Sequence, residues 1–314
     1  MKYRYHKSRG IALLTALLVV SIASIIAVSL IKRQWVDIRK TQNIQRVEQS
    51  WLYAKAVEAW ALGRLYDDIN KNTVDSEKDS WGYPIDPTDI EGGQISAAIV
   101  DCQSRFNVNN LVATGEDGKR YQDQFLRLLK VLELPERLLD SLLDWIDVDS
   151  NIHYPGGAED SNYMSKPRSY RAANQAVVDL SELRLVEGFT EDVYQKLKPY
   201  ITALPGVVYI NVNTASEAVL RSLGDDISQQ DAQYIIDARS EEPFESVQSF
   251  IQHQALAGRT IVAAGLSVKS QYYEVDSNVM IDDYRMSYSS IIHRESKESM
   301  KVVQRVKRGF FYEQ

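Results

Sequence analysis

Between Gly10 and Lys32 lie twenty-one residues without a charge, IALLTALLVVSIASIIAVSLI. At 1.5 Å of rise per residue, a helix of about 20 apolar residues crosses the hydrocarbon core of a bilayer. Ile11–Ile31 therefore reads as a membrane span rather than as a buried core helix or a cleaved secretory signal. A secretory apolar region runs about 7–15 residues and ends in small residues at its cleavage site. Here Lys32-Arg33-Gln34-Trp35 follows instead. Lys2, Arg4, Lys7 and Arg9 precede the run, and Lys32, Arg33, Arg39 and Lys40 follow it with only Asp37 between them. Flanking charge orients such a span weakly; the short N-terminal side favours a cytoplasmic N-terminus, with Trp35 in the interfacial belt.

The helix does not stop at the membrane. No Pro or Gly occurs between Ile11 and Gly63, and Ile44, Val47, Trp51, Ala54, Glu58, Ala61 and Leu65 recur at three- and four-residue steps. That spacing predicts one face of a continuous helix over residues 11–66, about 80 Å long, whose outer half needs a surface to cover its stripe. Trp81–Gly93, with two prolines and three glycines, reads as turns, and Gln94–Asp101 as a strand. Leucine-rich periodicity predicts helices over 121–146, broken at Pro135, and again over Leu180–Val186 and Thr190–Leu197. After Pro205-Gly206 the pattern predicts a strand at Val207–Asn211 and a helix at Thr214–Leu223 capped by Thr214. Further helices follow at Ser228–Arg239 and Val247–Gln252. From Ser267 it turns to period-two runs (Val268–Val275, Arg285–His293, Lys301–Tyr312), as in antiparallel strands with one wet face. The fold class is α+β.

The formal net charge of −7 excludes a broad basic surface for nucleic acid. One cysteine, Cys102, excludes an internal disulfide framework and reads as a small buried hydrophobe; four scattered histidines suggest no zinc site. The common phosphate-loop, nucleophile-elbow, zinc-protease and dinucleotide motifs are absent, so no enzyme activity is expected. INVNTASEAVLRSL with the segment after it is similar to a helix-hairpin-helix, but Asp225 and Asp226 stand where phosphate would approach. It reads as a packing module. Asn107, Asn109, Asn211 and Asn213 read as caps and turn-closers.

A short basic leader ending in Gly10, an apolar Ile11, then a long helix resembles a type IV prepilin signal. The resemblance implies that a prepilin peptidase cuts between Gly10 and Ile11 and methylates Ile11. Most of that family carry glutamate at the fifth mature position, where this chain has Thr15. One branch shares that departure, the minor pseudopilin K family of type II secretion. RGIALLTALLVV (9–20), RFNVNNL (105–111), DWIDVD and PGGAED (144–149, 155–160), SELRLVEGF (181–189), LKPYITALP (197–205) and INVNTASEAVL (210–220) resemble it in order along nearly the whole chain. The resemblance implies a pilin-like long helix on an antiparallel sheet, interrupted by a large, mostly helical SAM-like insertion. Its parts would be a leader (1–10), the membrane helix (11–31), the rest of that helix and a first strand (32–102), an inserted helical domain (103–205), a second SAM-like unit (206–266) and closing strands (267–314). It implies a place at the pseudopilus tip with the minor pseudopilins I and J, above the major pseudopilin. The helix face from Ile44 to Leu65 would bundle with those partners. The chain would sit in the inner membrane with its bulk in the periplasm. A minor pilin of a true type IV pilus and an anchored DNA-uptake receptor are the alternatives.

Asp144, Asp147, Asp149, Glu159 and Asp160 crowd around Pro155-Gly156-Gly157. Carboxylates this dense repel one another, and hard oxygens suit Ca²⁺. Counted from Asp147 the loop is not an EF-hand, because Ile152 and Ala158 stand where glycine and glutamate belong. From the residues alone it is either a calcium site or a solvated acidic loop. The resemblance to the K family implies calcium, with Asp147, Asp149, Glu159 and Asp160 as ligands and Asp144 as a plain surface acid.

Overall fold

The computed structural model describes residues 9–282 and 284–311. The leader residues Met1–Ser8, with Lys2, Arg4 and Lys7, lie outside the described residues. Helix α1 runs unbroken from Arg9 to Lys71, 63 residues or about 95 Å. It passes the expected end at residue 66 because Asp68, which reads as a polar stop, is buried against Arg294.

A hairpin follows, β1 (Ile85–Ile90) and β2 (Gly93–Asp101). The strand β1 sits in the stretch expected to be only turns; its one proline, Pro87, suits an outer strand, and β1 is an edge of the sheet. The chain then leaves through β3 (Phe106–Asn107), α2 (Gly115–Val131), α3 (Leu138–Ile146), α4 (Asp160–Met164), α5 (Glu191–Leu197) and β4 (Ile201–Thr202), which pairs parallel with β3. It continues through β5 (Ile210–Asn211), α6 (Glu217–Arg221), α7 (Gln229–Glu241), α8 (Val247–Ile251) and β6 (Leu266–Ser267), parallel to β5. It returns as β7 (Tyr272–Ile281), β8 (Tyr284–Arg294) and β9 (Met300–Phe311). The five-stranded sheet has the order β1-β2-β7-β8-β9, antiparallel throughout. Residues 102–271 are thus an excursion between adjacent strands, with Asp101 opposite Tyr273 where it leaves and returns.

The outer half of α1 lies on this sheet. Val57, Ala61 and Leu65 pack with Trp81, Ala97, Ile99, Tyr273, Val275 and Ile292, and Ala54 with Met286 and Tyr288. The expectation that the Ile44–Leu65 face bundles with partner subunits is therefore corrected. From Val47 onward the stripe is covered by the chain's own strands, and only Ile44 stays exposed. Even Glu58, the charged member, is buried: Arg305 donates to both carboxylate oxygens at 2.8 and 3.0 Å, and Ser290 Oγ at 2.6 Å. A periodicity argument finds the buried face but not which chain buries it.

One apolar cluster fills the excursion from Phe106 to Leu266, so the units expected at 103–205 and 206–266 share a core. Asparagines rivet it together. Asn109 donates to the carbonyls of Val177 and Leu204 and accepts from Val177 N at 2.8 Å, and Asn213 does the same for Phe244. Helix α6 is shorter than expected and starts after Ser216. Thr214 is not its cap; its hydroxyl donates to buried Asp101 at 2.6 Å, beside Ser270 Oγ at 2.6 Å and Asn211 Nδ2 at 3.1 Å. Burial pushes the Asp101 carboxyl up to about 6 in spite of these donors.

Candidate metal centre

Helix α3 places Asp144 in its last turn and ends at Asp147. The two are three residues apart, so both project from one side of the helix end. The loop that follows is folded back by close contacts only glycine permits. A Cβ on Gly157 would lie 2.2 Å from Asp144 Oδ2 and 2.3 Å from His153 O; one on Gly156 would lie 2.7 Å from Arg137 O. Asp140 accepts from Gly156 N at 3.0 Å, and Ser141 donates to Gly156 O at 2.8 Å. The loop is thereby pressed onto α3, bringing His153 and Glu159 to Asp144 and Asp147.

Asp144 is wholly buried, not a surface acid. Its Oδ1 accepts from His153 N at 3.0 Å and meets His153 Nδ1 at 2.5 Å. Carboxylate and imidazole atoms of Asp144, Asp147 and His153 all lie within 4.8 Å of one another. Glu159 is 3% exposed, and neither of its carboxylate oxygens has a partner; Asp147 Oδ1 is buried and unpartnered as well. Burial, then the charges of Asp144 and Asp147, push the Glu159 carboxyl above its ordinary range. Burial and neighbouring Asp149 do the same to Asp147. At His153 burial pulls the imidazole down, but the hydrogen bond and charge of Asp144 prevail and raise it.

The other two expected ligands are placed differently. Asp149 is exposed and its Oδ1 accepts from Asn151 N at 2.7 Å. Asp160 accepts from Ala172 N at 3.0 Å and lies 3.8 Å from Arg171 Nε. The sequence reading missed Asp144 and His153; the three-residue step from Asp144 to Asp147 on a helical segment was the available signal. Three buried carboxylate oxygens without donors, amid further carboxylates, are the donor set of a hard cation. The residues present fit Ca²⁺. A second acidic group, Asp68, Asp75 and Asp79, is already satisfied, by Arg294, Asn72 and the backbone of Ser76 and Ser270.

Comparison with known proteins places this architecture. Models described as "Type II secretion system (T2SS), protein K" match residues 104–206 and 210–269. A type II secretion system protein K from Pseudomonas aeruginosa is 36% identical over 307 residues, covering 94% of this chain and 92% of the relative. The chain belongs to the type II secretion system protein K family. The protein K of Aeromonas hydrophila is 29% identical over 96% of this chain and 97% of its own length. The crystal structure of the GspK–GspI–GspJ complex from the type 2 secretion system of enterotoxigenic Escherichia coli contains a chain similar to this one. Its TM-score is 0.76, with 26% identity, 86% of this chain and 99% of that chain covered. The family assignment makes this a minor pseudopilin of type II secretion.

Among the described residues, α1 is the helix long and apolar enough to cross a membrane, and its residues 11–31 are exposed throughout, as a single anchor would be. Three of the four hydroxyl side chains in residues 11–31 donate to carbonyls within the helix, which suits a low-dielectric setting. Thr15 Oγ1 donates to Ala12 O at 3.0 Å, Ser21 Oγ to Leu17 O and Ser24 Oγ to Val20 O, both at 2.8 Å. Gly10 and Ile11 lie in the first turn of α1.

Proposed function

We propose that this chain is cut by prepilin peptidase between Gly10 and Ile11, is methylated at Ile11, and caps the pseudopilus with the I and J minor pseudopilins above the major pseudopilin. It sits in the inner membrane with its bulk in the periplasm, and it acts by assembly rather than catalysis. Thr15 suits the tip, because no subunit above presents an N-terminal ammonium for a glutamate to neutralise. The bulky excursion of residues 102–271 obstructs further addition on its side.

The observation that carries the reading is the division of α1 into two faces. One is sealed by the chain's own sheet; the other, with Glu48, Leu52, Ala56, Ala59, Gly63 and Tyr66, is bare. Leu52 is 66% exposed on a helix otherwise packed against strands. A pilin-type bundle needs such a face, and the related GspK chain was crystallised with GspI and GspJ. Leu52→Glu combined with Ala56→Glu is expected to abolish co-purification with the I and J proteins while leaving the thermal unfolding midpoint within about 2 °C, as for surface substitutions. Undiminished co-purification would contradict this face. Ala54 and Val47, which turn toward the sheet, are the wrong positions for the test.

The acidic loop holds Ca²⁺ through Glu159, Asp147 and Asp144, with Asp149 and Asp160 as the remaining acids at hand. The ion supplies the positive charge that lets these carboxylates stay close, so its role is structural. It fixes the loop on α3 beneath the aromatic stack of Trp145, Tyr163 and Tyr170.

A further inference from the structure

Among the described residues, the ion pair between α1 and the sheet that lies nearest the span is Arg46–Asp282 at 2.8 Å. From Lys32 to about Ile44 the helix stands free, with every residue exposed. Four cations lie in this segment, and their spacing is not random. Lys32, Arg33, Arg39 and Lys40 are two adjacent pairs seven residues apart. At 100° per residue they share an arc of about 120° on one side of the helix. Lys32 directly follows the last apolar residue of the span, and Lys40 is about 12 Å farther along the axis. None of the four forms an ion pair among the described residues. Trp35, 61% exposed, stands beside them with the Arg39 guanidinium 5.9 Å from its ring centre.

We propose that this cationic face is a collar for the headgroups of anionic phospholipids in the leaflet where α1 leaves the bilayer. Charge complementarity and continuity with the span choose the occupant. The collar begins at the membrane boundary and ends within roughly a Debye length of the headgroups, where each Lys or Arg contributes about 1 kcal/mol toward an anionic surface. Its tryptophan sits at interfacial depth. The collar also resolves an imbalance in the sequence. While Lys2, Arg4, Lys7 and Arg9 are attached, basic residues flank both ends of the span. Cutting after Gly10 would leave the collar as the main positive charge beside it, holding the mature subunit at its membrane until partners draw it into the pseudopilus. The collar rests on the single-span reading and not on the cleavage or the tip position.

The test uses the full chain in nanodiscs of equal phosphatidylglycerol and phosphatidylcholine, with retained lipid counted by native mass spectrometry. The wild-type chain is expected to retain phosphatidylglycerol preferentially. Each Lys→Gln or Arg→Gln change should lower that preference by about fivefold, and the quadruple variant K32Q/R33Q/R39Q/K40Q should abolish it. Equal enrichment in the quadruple variant, or none in the wild type, overturns the collar. So does a variant that keeps its phosphatidylglycerol but loses the I and J proteins, which would give the face to an acidic partner helix. A chain stripped from membranes by alkaline carbonate overturns the span together with the collar. A carbonate-resistant chain lacking enrichment overturns the collar alone.

Discussion

Replacing Arg294 with alanine is expected to destabilise the fold by about 3–5 kcal/mol, enough to leave much of the protein unfolded at 37 °C. Arg294 is 4% exposed at the end of β8. Its guanidinium bonds Asp68 Oδ2 at 2.8 Å, Asp75, the Tyr273 hydroxyl and Ser270 O. It thus joins the end of α1, the segment after it and the point where the excursion returns to the sheet. Burial raises the Asp68 carboxyl to about 6 even with the arginine present, so removing the cation strands two buried acids. The loss should shrink as pH falls from 7 toward 5. A carboxyl whose folded pKa lies above its unfolded value binds its proton more readily in the folded state, and stability then rises on acidification. Removing all three charges together, as Asp68→Asn, Asp75→Asn and Arg294→Met, should recover most of the stability, because no buried charge is then left without its counter-charge. Urea unfolding of the three proteins at pH 7 and pH 5 decides it. An Arg294→Ala chain within 1 kcal/mol of the wild type would show that the cluster is not buried in solution.

Calcium is expected to stabilise the wild-type protein, by about 2.7 kcal/mol at a concentration one hundred times its dissociation constant. Glu159→Gln should reverse the sign of the effect at this site. Without calcium the variant loses a buried, partnerless charge crowded by Asp144 and Asp147, so it should unfold at a higher temperature than the wild type under EDTA. With calcium it should gain little and fall below the wild type. This crossing separates a metal site from an acidic loop that is merely tolerated, for which the variant would behave alike in both conditions. Trp145 stacks edge-on against Tyr163 with ring centres 5.2 Å apart, next in sequence to Asp144, so tryptophan fluorescence should follow the titration. An unfolding midpoint unmoved by millimolar calcium in the wild type would contradict the site.

Much of this architecture was legible because it rests on local patterns. Helix α1, strand β2 and the closing strands follow from uninterrupted periodicity, and α2 and α3 from leucine spacing. What escaped depends on distant neighbours. Strand β1 is an edge strand made from a Pro- and Asp-containing segment, and it exists because β2 lies beside it. Asp68 does not end its helix because a residue more than two hundred positions away neutralises it. Thr214 reads as a cap yet serves Asp101. The acidic loop was found by charge density alone, which could not distinguish Asp144, locked under His153, from Asp149, open to solvent. The glycines that fold the loop back make that distinction, and their effect is visible only in three dimensions.

The most direct test of a processed minor pseudopilin is the intact mass of the chain isolated from membranes that contain the secretion system. A chain beginning at singly methylated Ile11 is the expected result. A chain that still begins at Met1, in cells where the major pseudopilin is fully processed, would contradict the account.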